Sequence, residues 1–181
     1  MKRVFGLVAI SVLLISCTQS PPPAPAPAPA APEAKPFGTL AQMMRGVPFP
    51  NSNIIFDTQT TDPGAAQKPA EAGAPATQQY SGVYGGWQAV ENAALALSET
   101  ANLLLIPGRM CENGLPAPVD QPDFQKWAQG LAEAGQAAYK AAQSKNIDAM
   151  VEVSGTVSDA CAACHEKYRD TPDQPKDRCM P

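Results

Sequence analysis

One short run near the C-terminus constrains this chain more than any other: Ser158-Asp159-Ala160-Cys161-Ala162-Ala163-Cys164-His165-Glu166-Lys167-Tyr168-Arg169. On a helix, Cys161, Cys164 and His165 stand at i, i+3 and i+4 and share one face. Two thiols followed at once by an imidazole are placed to bond a flat tetrapyrrole twice and to reach its metal from one side. C-x-x-C-H is accordingly the attachment signature of c-type haem, with His165 as the proximal iron ligand. A structural zinc site would need four nitrogen or sulfur ligands, and His165 is the only histidine in the chain. A dithiol redox site would follow a strand and open a helix, whereas this run falls late in a helical pattern. The reading is therefore one covalently attached haem c, bonded at Cys161 and Cys164.

The pattern leading into that run predicts a long helix. Ile147, Met150, Ser154, Val157, Cys161 and Cys164 recur at steps of three and four, a single stripe that begins after Ser144 or Asn146 and stops near Asp170. Trp87, Val90, Ala94, Leu97, Ala101 and Leu104 make a second stripe within residues 83–106, ended by Pro107-Gly108. A third follows Asp120, the expected cap of a helix with Pro122 and Asp123 in its first turn. Its apolar face (Phe124, Trp127, Leu131, Ala134, Ala138) is interleaved with Gly130 and Gly135, which suits close approach of a neighbouring helix or a flat ligand. Residues 37–61 predict a first helix broken in two, with Thr39 capping one piece, Pro48 and Pro50 interrupting, and Asn51 or Ser52 capping the second. Residues 62–79, rich in Pro, Gly, Ala and Gln, predict a flexible loop. Strand signals are absent. The fold class that follows is all-α, an antiparallel four-helix bundle with its cofactor on the last helix.

The N-terminus predicts export. Met1-Lys2-Arg3 is a charged lead, residues 4–15 are apolar, and Leu14-Ile15-Ser16-Cys17 is similar to a bacterial lipobox. The apolar run is too short to span a membrane as a helix and reads as a signal peptide over residues 1–16. Cys17 is then the lipid attachment site. Thr18 stands where lipoproteins held at the inner membrane commonly carry Asp, so the resemblance leans toward the outer membrane. Residues 17–36 form the lipidated N-terminus and a Pro/Ala-rich tether, whose prolines lock φ and remove backbone donors. Extended at about 3.1 Å per residue, the stretch from Pro21 to Pro36 reaches on the order of 50 Å. The bundle occupies residues 37–181.

Cysteine counting agrees with a periplasmic location. Of five cysteines, one is for lipid and two are for haem, leaving Cys111 and Cys179 as a disulfide pair in an oxidising compartment. Removing Lys2 and Arg3 from the 13 basic residues leaves 11 against 17 acidic ones, a net charge of −6. A mildly acidic balance without a basic patch excludes nucleic acid as a partner.

A four-helix bundle with Cys161, Cys164 and His165 late in its last helix, followed by Tyr168-Arg169, resembles the class II c-type cytochromes, the cytochrome c′ group. The resemblance covers residues 37–171. It implies that the iron's far side is either vacant or taken by a methionine of the first helix, here Met43 or, in first place, Met44. It also implies cationic partners for the haem propionates, Arg169 and Arg45, and dimerisation, which many members show. The expected function is one-electron transfer with a redox partner protein, from a lipid anchor on the membrane. The alternative is a five-coordinate iron that binds nitric oxide or carbon monoxide. With the only histidine spent on iron, no acid–base or nucleophilic constellation remains, so no enzymatic activity is expected.

Overall fold

Thr39 starts the first helix through a reciprocal cap. Its hydroxyl accepts from the Gln42 amide at 3.2 Å, and the Gln42 side chain accepts from the Thr39 amide at 2.9 Å. In the computed structural model, which describes residues 34–65, 70–80, 85–170 and 175–180, this cap opens α1 (Leu40–Gly46). Val47 turns the chain directly into α2 (Pro48–Asp57). The prolines initiate α2 rather than interrupting it, because Pro48 occupies the first helical position, where no amide donor is required. Asn51 and Ser52 consequently lie inside the helix and donate back to Val47 and Phe49 carbonyls instead of capping. The signal peptide, Cys17 and all of the tether before residue 34 lie outside the described residues. Within the stretch read as a flexible loop, Ala76–Gln79 form one helical turn, α3.

Three long helices follow: α4 (Gly86–Leu104), α5 (Pro122–Ser144) and α6 (Ile147–His165). The expected cap of α5 shifts by one residue. Gln121, not Asp120, is the N-cap and makes no side-chain bond there. Pro122 again suits the first position. Lys145, in a left-handed conformation at φ 52°, closes α5, and Asn146 at once caps α6 by accepting from the Ala149 amide. A link this short forces α5 and α6 to run antiparallel. One π-helical turn, Glu166–Asp170, continues α6, and a 3₁₀ turn follows at Pro175–Asp177. Among the described residues there is no strand, only an isolated bridge between Met110 and Pro116.

The helices pack in a ring, α2 on α4, α4 on α5, α5 on α6, and α6 back on α2. This is an all-α four-helix bundle. The α4–α5 contact is the tightest. A Cβ added at Gly135 would stand 2.6 Å from the Ser98 amide nitrogen and 2.9 Å from the Ala94 carbonyl, so only glycine lets the two backbones approach so closely. The core divides lengthwise. One half is a dry cluster of small and branched side chains, with Ile55, Leu97, Ala138 and Val157 fully buried. Burial of side chains the size of Ile55 or Leu97 contributes about 1.5–3 kcal/mol apiece. The other half, around Leu40, Leu104, Phe124, Leu131 and Tyr168, borders an open cavity.

Candidate haem-binding site

The cavity has a volume of about 1130 Å³, at the upper edge of the roughly 300–1000 Å³ typical of small-molecule and cofactor sites. Cys161, Cys164 and His165 at the end of α6 line one side. Both cysteines carry free, half-buried thiols. Leu40, Met44, Phe49 and Phe56 of α1 and α2 line another side, and Phe124, Trp127 and Leu131 of α5 a third. The walls are thus apolar and aromatic, and charged groups gather at the rim. Arg45, Glu112, Arg169 and Asp170 are there, and so are Lys176 and Arg178 of the C-terminal tail.

Continuation of α6 as a π turn places Tyr168 in the core. Its hydroxyl donates to Asp123 Oδ1 at 2.7 Å, and Lys167 Nζ donates to Asp123 Oδ2 at 2.6 Å. The Tyr168 ring meets Phe124 and Trp127 edge-on, with centroids 5.6 and 5.9 Å apart, the arrangement that aromatic quadrupoles favour. Lys167, then Tyr168, hold the Asp123 carboxyl below the usual carboxylate range against the cost of its desolvation. The end of α6 is therefore bolted to the start of α5 immediately beside the cysteine pair.

A second set of links closes the site from the C-terminal side. Cys111 and Cys179 are joined by a disulfide. The Cys179 amide donates to the Tyr168 carbonyl at 3.0 Å. Asn113 Nδ2 donates to the Lys176 and Arg178 carbonyls, each at 2.8 Å. The loop that carries Cys111 also holds the start of α1. The Leu40 amide donates to the Met110 carbonyl at 2.8 Å, and the buried Arg109 guanidinium donates to the Gly38 and Leu103 carbonyls, both at 2.9 Å.

Of the residues singled out in the sequence, Cys161, Cys164, His165, Met44, Arg169, Arg45, Cys111 and Cys179 all border this one cavity. Met43 packs on the core but does not line the cavity. Both arginines already have carboxylate partners: Arg45 meets Glu112 at 2.5 Å, and Arg169 holds Asp170 through Nε and Nη2 at 2.6 and 2.8 Å. Arg109, Lys176 and Arg178 were not singled out, because no local periodicity marks a loop residue that reaches its place through long-range bonds. Asp123 was read as a charge suited to a helix start, and its Tyr168 partner, 45 positions on, gives no local signal either.

Residues 119–169 match the family model described as Cytochrome C′. Over that stretch the chain is similar to the class II c-type cytochromes. The matched stretch holds α5, α6 and the π turn, with Asp123, Trp127, Cys161, Cys164, His165 and Tyr168 inside it, and it leaves α1, α2, the Cys111 loop and the tail outside. No curated protein and no solved structure matches the chain. The matched family implies a covalently bound haem c, and the cavity described above fits one. Burial, with the charges of Asp123 and Cys161 adding to it, pushes the Cys164 thiol up to about 11, and burial likewise raises Cys161. Burial, helped by Arg169 and opposed by Asp170, lowers the His165 pKa and so favours the neutral imidazole, the form that ligates a metal. A flat apolar macrocycle with a carboxylated edge matches apolar walls and a charged rim.

Proposed function

We propose that this chain is a periplasmic one-electron carrier with a single haem, anchored to the membrane through lipid on Cys17. When bound, the haem supplies reversible Fe(III)/Fe(II) chemistry. Cys161 and Cys164 would hold it by thioether bonds, and His165 would offer its imidazole nitrogen to the iron. Phe124 and Trp127 give the site an apolar, aromatic wall. The observation that carries the reading is Met44, a thioether on α1 that lines the same cavity as His165 on α6. A Met44 thioether ligating the iron together with His165 would raise its reduction potential, which favours electron transfer with a redox partner protein over chemistry at an open coordination site. The role is that of a carrier, not a catalyst. Thr18, where inner-membrane lipoproteins commonly carry Asp, leans the proposed anchor toward the outer membrane.

The deciding experiment is a ferric absorption and EPR spectrum of the purified holoprotein and of Met44→Ala. Low-spin iron in the native protein, converted to high-spin by the substitution, is the expected result. High-spin iron in the native protein that binds nitric oxide or carbon monoxide without displacing a ligand would overturn it in favour of gas binding.

A further inference from the structure

The rim of the cavity carries more positive charge than its own acids engage. Arg45 and Arg169 are held by Glu112 and Asp170. Lys176 and Arg178 line the same cavity, and neither takes part in an ion pair among the described residues. Arg178 lies close enough to help depress the Asp170 pKa, but Arg169 is the main cause and occupies both Asp170 oxygens. Glu166 completes the charges at the rim.

Nor is the tail loosely placed. Asn113 grips the carbonyls of Lys176 and Arg178, the disulfide fixes the adjoining Cys179, and the Cys179 amide is bonded to the π turn. Lys176 and Arg178 are exposed to solvent, but these four bonds fix both on a segment that borders the cavity, so an anionic group of a bound ligand would find two cations already placed. Haem would bring such groups: with its vinyl groups bonded to Cys161 and Cys164, its two carboxylates would stay free.

We propose that Lys176 and Arg178 seat the two haem carboxylates, with the Cys111–Cys179 bridge as the strap that keeps them in position. Arg178 offers a planar fork suited to bidentate contact, and Lys176 a compact point charge. The inference rests on the haem reading of the cavity. It concerns residues outside the matched stretch 119–169.

The test uses the holoprotein and follows its visible spectrum and midpoint potential from pH 4 to 9, where carboxylate ionisation gives an inflection. In Lys176→Gln/Arg178→Gln that inflection is expected to move up by about one pH unit, and the potential at neutral pH to fall, because loss of two positive charges favours the ferric state. Cys111→Ser/Cys179→Ser is expected to shift the inflection in the same direction by a smaller amount. Lys145→Gln, at the far end of α6, controls for net charge and should leave it in place. Inflections that coincide in the tail variant and the native protein would overturn the proposal. Colourless protein with unmodified Cys161 and Cys164 would instead remove the haem reading itself.

Discussion

Tyr168 donates its hydroxyl to Asp123 at 2.7 Å and so bolts the last turn of the helix that carries Cys161, Cys164 and His165 to the first turn of α5. The bond crosses the bundle at the edge of the cavity. Tyr168→Phe keeps the ring contacts with Phe124 and Trp127 and deletes only the hydroxyl. The melting temperature should fall by about 2–4 °C, as differential scanning calorimetry would register. An unchanged melting temperature would mean that water replaces the hydroxyl at no cost.

Asp123 also makes stability depend on pH, with a sign that can be worked out. Its folded-state pKa is lowered, chiefly by Lys167 and then by Tyr168. A depressed carboxyl stabilises the fold fully above its unfolded value of about 3.9 and loses that contribution as pH falls through the lower folded value. The stability difference between the native protein and Asp123→Asn should be constant near neutrality and should close in acid, below about pH 4. Urea denaturation of both proteins at pH 7, 5 and 3 checks this. A difference that widens in acid would contradict the assignment.

Two glycines on the same helix should respond with opposite signs. At Gly135 a methyl group would collide with the backbone of α4, whereas at Gly130 it would meet nothing within 4 Å. Gly135→Ala should cost about 1–3 kcal/mol by forcing α4 and α5 apart. Gly130→Ala should gain about 0.5–1 kcal/mol, because alanine restricts the unfolded chain more than glycine does. Denaturant midpoints of the pair give both numbers from one series. A loss at both positions would show that α5 tolerates no added methyl on either face.

The cysteine pair and histidine were legible because their chemistry is written in consecutive positions of one helix, and the bundle because a three-four stripe needs no partner to be recognised. The initiating role of Pro48 and the cap at Gln121 were misread by a few residues. In both places a proline at the first helical position supplies the start that a polar cap was expected to give. The rim was harder to see. Lys176 and Arg178 reach the cavity only because a disulfide spans 68 positions and an asparagine grips their carbonyls, and such bonds leave no periodic trace. Arg109 in isolation looks like any loop arginine, and nothing beside it in the chain announces that it is buried.

That burial supports the last prediction. Arg109 is 5% exposed, its guanidinium joins the Gly38 carbonyl ahead of α1 to the Leu103 carbonyl at the end of α4, and its Nε has no hydrogen-bond partner among the described residues. Desolvation accordingly lowers its pKa. Arg109→Met preserves the apolar stem, removes both bonds and leaves two carbonyls unsatisfied, at a cost of about 2 kcal/mol. The larger consequence falls on α1, which carries Met44 and among the described residues would retain the Leu40–Met110 backbone bond and the exposed Arg45–Glu112 pair to the Cys111 loop. If Met44 is the sixth iron ligand, loosening α1 should add a high-spin component to the ferric spectrum of Arg109→Met, and Met44→Ala should make that component complete. A fully low-spin Arg109→Met with the expected loss of stability would separate the two roles, leaving Arg109 as a brace for the fold that does not position the ligand.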